Sequence, residues 1–198
     1  MSRASRADAA RHREEVVHAT ARLLRERGSG ASLSDIMSTV GLTPGGFYKH
    51  FASKDELLGI AAGVAFGELL ERMRRLAEEF PEAAQARDAL LREYLSVEHR
   101  DSPGTGCANT ALASDAARAG DASPLRKEYE RGAAETLRAL ASLRTGAAQG
   151  EGEETDEALR GAILDLTAMV GALTLARATG GSKLSDMILQ VVHDDLRA

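Results

Sequence analysis

Along most of the chain, apolar residues recur every three or four positions, and nowhere do they alternate with polar ones over a strand's length. Alanine and leucine, both strong helix formers, carry the pattern. Pro44, Pro81, Pro103 and Pro124 each fall where a periodic stretch opens. Proline is tolerated in a helix's first turn and disruptive further in, so these four act as punctuation. Together the signals predict an all-α chain of nine helices, over residues 9–27, 33–39, 44–50, 54–79, 82–99, 104–119, 123–144, 155–178 and 183–197. Val16, Ala19, Thr20, Leu23 and Leu24 make one stripe on the first, which Gly28 closes. Ser53 and Glu56 form a capping box ahead of the fourth. Residues 144–156, rich in glycine and acid without an apolar anchor, read as a mobile loop.

The segment 155–178 is patterned most strictly. Leu159, Ile163, Leu166, Val170 and Leu173 step by four and three, a seam that wants a partner helix. Leu184, Ile188, Val191 and Val192 line one side of the last segment, with Met187 beside them. Pattern alone leaves two readings open. Both helices pad the core of a monomer, or they pair with their copies in a second subunit as a four-helix bundle.

Charge changes the picture at one end. The whole chain carries a net charge of −5, yet residues 1–56 hold nine Lys/Arg against seven Asp/Glu, and the rest sixteen against twenty-three. A mildly basic head on an acidic body points the head toward an anionic partner. The polar N-terminus has no signal-peptide core, and no run of about eighteen apolar residues suggests a membrane span. The single cysteine excludes an internal disulfide and, with scattered histidines, argues against a metal centre; no cofactor is implied, and the location expected is cytoplasmic.

The basic head contains the most specific motif, "SLSDIMSTVGLTPGGFYKHF" (32–51). Ser32 caps a short helix whose inward residues are Leu33, Ile36, Met37 and Val40. Gly41 allows a sharp turn, Leu42 plugs the angle, and Thr43 caps a second short helix. Two short helices joined at a glycine form a helix-turn-helix, the second being the reader of a DNA major groove. Phe47 and Phe51, four apart, turn toward the first helix, while Tyr48 faces outward with Thr43 and Lys49. Thr43, Tyr48 and Ser34 supply neutral phosphate donors, and Gly45 and Gly46 let the backbone approach DNA. Arg3, Arg6, Arg11 and Arg13 read as a basic arm or as a solvated tail.

"VVHATARLLRERG" (16–28) followed by "SLSDIMSTVGLTPGGFYKHFASKDEL" (32–57) resembles the DNA-binding domain of the tetracycline-repressor (TetR) family of transcriptional regulators, and chain length and helix count resemble the family throughout. The resemblance implies a nine-helix TetR-like architecture, with a helix-turn-helix head over residues 1–53 and a ligand-binding and dimerisation domain over 54–198. It implies roles at the DNA for Thr43, Tyr48 and His50, a phosphate contact for Lys54, and base reading for Lys49. Pro44, Gly45 and Gly46 depart from a side-chain-rich reader, so Ser34, Ser38 and Thr39 and DNA shape would share the recognition. The resemblance also favours the bundle of two subunits, hence a homodimer on double-stranded DNA. It places a small-molecule inducer in the body, where ligand tilts the segment 54–79. Gly59, Gly63 and Gly67 in that segment read either as tight packing or as deliberate looseness.

Polar groups on otherwise apolar stretches are the candidates to line an inducer pocket: Tyr94, His99, Asn109, Thr110, Tyr129, Thr167, Met169 and Thr174. Cys107 joins them. It opens a helix, where a thiolate is stabilised, and it reads either as a small packing residue or as a thiol sensor. These features describe a repressor released from a palindromic operator by a small-molecule or reactive inducer. The alternative from another class is a small helical thiol-dependent enzyme or binding protein centred on Cys107, with His99 as its partner.

Overall fold

The computed structural model describes residues 3–145 and 156–197, with the side chains of 3–7 and Pro44 excepted. The predicted loop 144–156 falls almost wholly outside the described residues. Among those described there are nine α-helices, two short 3-10 segments and no strand. The helices are α1 (Arg3–Arg27), α2 (Leu33–Thr39), α3 (Lys54–Glu79), α4 (Ala83–Tyr94), α5 (Val97–Asp101), α6 (Ala108–Arg118), α7 (Pro124–Thr145), α8 (Asp156–Ala178) and α9 (Lys183–Arg197).

Four predicted boundaries moved, the first helix starting at Arg3 rather than at residue 9. Residues 44–49 form a 3-10 segment rather than an α-helix, because two glycines follow the proline and the Thr43 hydroxyl makes no capping bond. The single helix expected over 82–99 breaks at Leu95, and Ser96 caps α5 by accepting the His99 amide. The helix expected from 104 begins at Ala108, preceded by a 3-10 turn over Pro103–Thr105, with Cys107 at its N-cap. The Glu56 carboxylate reaches back to the Ala52 amide at 2.6 Å while the Ser53 hydroxyl accepts the Glu56 amide, a variant of the expected capping box.

Apolar side chains gather in three clusters that follow the chain. Val16, Val17, Leu23, Ile36, Met37, Phe47, Phe51 and Leu57 make the core of the head. Leu24, Leu58, Phe66, Leu112 and Leu125 join α1, α3, α6 and α7. The largest cluster unites α3, α4, α7, α8 and α9. The α3–α7 crossing depends on Gly132, since a Cβ there would fall within the Phe66 ring. Gly59 in α3 is equally constrained, its added Cβ meeting Pro124 at 2.6 Å, whereas a Cβ at Gly67 would meet nothing. The glycine repeat is therefore a packing device at its first member and an open position at its last.

Two charges are buried in this body among the described residues, Arg100 of α5 and Asp165 of α8. Asp165 of α8 accepts from Arg87 of α4 at 3.0 Å and from Arg144 of α7 at 3.0 Å, tying three helices to one carboxylate. By length and composition α8 is apolar enough to cross a membrane, contrary to the expectation from the sequence. Its ion-paired Asp165 and its buried Ala158, Ala162, Met169, Leu173 and Ala176 make it a core helix instead.

Candidate nucleic-acid interface and effector chamber

The head is built to expose one edge. Ser32 and Asp35 complete a capping box that fixes the start of α2. Gly41, at φ +70°, makes the turn after α2 that a side chain would strain. Phe47 and Phe51 stack with centroids 5.4 Å apart and are buried against α1, as their spacing predicts. Tyr48 stands on the edge of Phe47, its ring 72% exposed, which fixes its direction without covering it. Ser34, Ser38, Thr39, Thr43, Gly45 and Lys49 are exposed alongside, and His50 is half-buried. The Ser38 and Thr39 hydroxyls each donate to the Asp35 carbonyl, leaving their oxygens as acceptors.

Lys54 differs from the rest. Half-buried, it donates from Nζ to the Ser29 carbonyl at 2.9 Å and so ties α3 to the end of α1, with two N–H donors left over. The proposed basic arm is divided. Helix α1 already begins at Arg3; Arg11 pairs with Glu15 at 3.1 Å, Arg13 lies 5.1 Å over the Phe51 ring, and the side chains of Arg3 and Arg6 lie outside those described.

The body contains a recess of about 280 Å³ between α1, α3, α4 and the turn before α6. Three of the predicted pocket residues, Tyr94, His99 and Cys107, meet at its inner end. Tyr94 shares a hydrogen bond with the Thr110 hydroxyl at 2.9 Å. Burial, reinforced by the neighbouring Cys107, pushes its phenol well above the usual tyrosine range, so it stays protonated. The His99 Nε2 accepts the Cys107 amide at 3.1 Å, so the proton sits on Nδ1, which donates to the Tyr94 carbonyl at 2.7 Å. Burial lowers the imidazole to about 4. With both nitrogens engaged and a depressed basicity, His99 is a structural brace and no base for the Cys107 thiol. That removes the arrangement on which the thiol-enzyme alternative rested. Cys107 itself is 2% exposed and belongs to the main core cluster.

The other predicted pocket residues scatter. Asn109 donates to Thr136 at 3.3 Å and Tyr129 donates to the Asn109 carbonyl, so both serve the α6–α7 contact. Met169 is core. Thr167 and Thr174 are exposed on the outer face of α8, Thr174 bonding its own helix at Val170, and neither lines the recess. Polarity on an apolar stretch marked them, but it cannot tell inside from outside.

The expected seam on α8 is only partly free to face a partner. Leu173 is fully buried within the chain, and Leu159, Leu166, Val170 and Ile188 are half-buried. The uncovered apolar strip keeps Ile163, Leu184 and Val191 of the expected set and adds Leu164 and Leu175 on α8 and Met187 on α9. Apolar residues surround α8 nearly all round, so a four-three spacing exists in more than one phase.

Sequence reasoning missed the links between head and body. Arg25, in the last turn of α1, is 7% exposed; it donates to the Gly104 carbonyl at 2.7 Å and pairs with Glu68 of α3 at 2.7 Å. Asp115 of α6 accepts the Ser29 amide at 2.7 Å and holds Arg118 with its other oxygen. Arg25 stands four residues after Ala21 on the buried face of α1, a charge in an apolar stripe that was the available signal. Asp115 offered none.

A helix-turn-helix with a rigid core, an exposed polar and basic edge, and an all-α body define a DNA-binding transcriptional regulator. Residues 16–59 match the family described as bacterial regulatory proteins, tetR family. Over that segment the chain matches the family's DNA-binding domain, and the chain as a whole has the fold of TetR-family regulators. A TetR transcriptional regulator from Chloroflexus aurantiacus J-10-fl is 28% identical, with 96% of this chain and 94% of that one covered and a TM-score of 0.77. A TetR-family regulator from Agrobacterium tumefaciens is 19% identical, over 96% and 100%, also with a TM-score of 0.77. The reduced form of NemR from E. coli is 19% identical, over 93% and 94%, with a TM-score of 0.74. No curated protein sequence matches the chain.

Proposed function

We propose that the chain is a homodimeric repressor that binds a roughly palindromic duplex through its two heads and leaves it when a small molecule occupies the body. The observation that carries this is the edge of the head: Thr43, Gly45, Tyr48 and Lys49 are exposed together on a segment whose other face is locked by Phe47 and Phe51. Nothing in the fold of the head needs a tyrosine 72% exposed there. The apolar strip on α8 and α9 is the face we assign to the second subunit, and its twofold symmetry is what a palindromic site mirrors. The division at residues 53 and 54 is part of this reading, because α3 runs from the head core into the body cluster. So is a place of action in the cytoplasm. Cys107, buried and without a base, we read as a packing residue at the wall of the recess.

Duplexes selected from random sequence, measured by fluorescence anisotropy, test the proposal. Lys49→Ala should weaken binding and change the preferred sequence. Lys54→Ala should weaken all sequences alike and reduce the salt slope by about one counterion per subunit. Equal binding of selected and random duplex at physiological salt would overturn it.

A further inference from the structure

The recess joins a wider outer bowl of about 790 Å³, and the two share Arg72, Arg75, Glu93, His99 and Thr105 as a common throat. The inner recess carries as many acids as arginines, but they are not all paired with one another. It is lined by Arg25, Arg72 and Arg75 and by Glu68, Glu71 and Glu93. Glu68 is held by Arg25 at 2.7 Å. Glu71 is taken from outside the lining by Arg74, at 2.6 and 3.0 Å from its two oxygens. Glu93 faces Arg72 only at 3.9 Å. Arg75 has no ion pair among the described residues. His99, lowered to about 4 by burial, is neutral near pH 7 and adds no charge. Arg75, exposed at the throat, and Arg72, only loosely engaged, therefore keep guanidinium donors free for an anion, while the outer charges, Arg92, Glu79 and Glu98, are exposed to water that screens them. Beyond the throat the wall turns apolar, with Ala65, Leu69, Leu90 and the Tyr94 ring.

We infer that the recess takes a small organic monoanion, its carboxylate held by Arg72 and Arg75 and its apolar part lying against Leu69, Leu90 and Tyr94. A guanidinium fork matches a carboxylate with two parallel hydrogen bonds, and the volume sits at the small end of ligand sites. This rests on the ligand-released reading above and adds the class of ligand and the residue that senses it. That residue is Arg25. It belongs to the DNA-binding head, yet it lines the recess and grips the Gly104 carbonyl and Glu68. Gly104 touches α1 without a side chain between them, as a Cβ there would collide with Glu26. Gly106 and Cys107, two and three residues on, form the inner wall of the recess. A ligand that displaces this wall moves the carbonyl that Arg25 holds, and α1 with it. The head thus reads the recess directly.

The test uses the full chain and four probes, butyrate, hexanoate, octanoate and benzoate, each against its primary amide, by isothermal titration calorimetry without DNA. At least one carboxylate should bind saturably, one per subunit, and its amide at least tenfold more weakly. Arg72→Gln with Arg75→Gln should weaken that carboxylate tenfold or more while the thermal transition stays cooperative. With a selected duplex present, carboxylate and DNA should weaken each other by the same factor, as linkage requires. In Arg25→Lys that factor should fall toward one. Failure of all four carboxylates to saturate, or equal binding of the amide, overturns the anion site. An unchanged coupling factor in Arg25→Lys, or none in the wild type, overturns the role of Arg25. Loss of DNA binding by the ligand-free chain would sink the regulator reading instead, and the calorimetry without DNA would still decide the anion site.

Discussion

Glutamate at Leu164 should separate the proposed dimer. Leu164 is 61% exposed on the outer face of α8, so the substitution leaves the core of the single chain intact. Burying a whole leucine is worth about 1.5–3 kcal/mol, so the part still exposed is worth about 1–2 kcal/mol when a partner covers it. In a twofold interface every substitution counts twice, which gives about 2–4 kcal/mol. Two carboxylates stripped of water without partners add several kcal/mol, partly relieved if they reach the rim. A total of at least about 4 kcal/mol raises the dissociation constant about a thousandfold. Sedimentation velocity over a dilution series should show a monomer where the wild type is a dimer, with the helical circular dichroism retained. Affinity for the selected duplex should fall with it, since the coupled second half-site is lost. Val191→Glu, 59% exposed on α9, should act the same way. If both variants sediment as dimers with wild-type affinity, the strip on α8 and α9 is not the interface.

Two further outcomes follow from the interior. Above about pH 6.5 His99 is neutral in both folded and unfolded chains; below it the unfolded chain takes up a proton that the folded one resists down to about 4. Stability should therefore be lost as the pH falls through that window, by up to about 3 kcal/mol from this group, and His99→Gln should flatten the slope in urea titrations between pH 7 and 4.5. Asp165→Ala should cost about 3–5 kcal/mol in the same assay, because it leaves Arg87 and Arg144 without their buried partner; a loss under about 1 kcal/mol would mean that water already solvates the cluster.

The helices, the helix-turn-helix and the inward and outward division of Phe47, Tyr48 and Phe51 were legible in the sequence, because each depends on neighbours within a few residues. Periodicity, caps and glycine turns are local, and local rules fix them. The same rules misplaced the breaks at Leu95 and Cys107 and the helical type of 44–49, where competing short-range signals differ by little. What only the tertiary structure decided is which side of a helix meets what. Thr167 and Thr174 looked like pocket residues and face outward; Leu173 looked like a dimer contact and lies in the core. Arg25 finds Gly104 79 residues away, and Asp165 finds arginines 78 and 21 residues away. Such pairings depend on how helices are rotated and stacked against one another. On a helix such as α8, apolar on nearly every side, the spacing of residues does not encode that rotation, and the packing of the whole chain selects it.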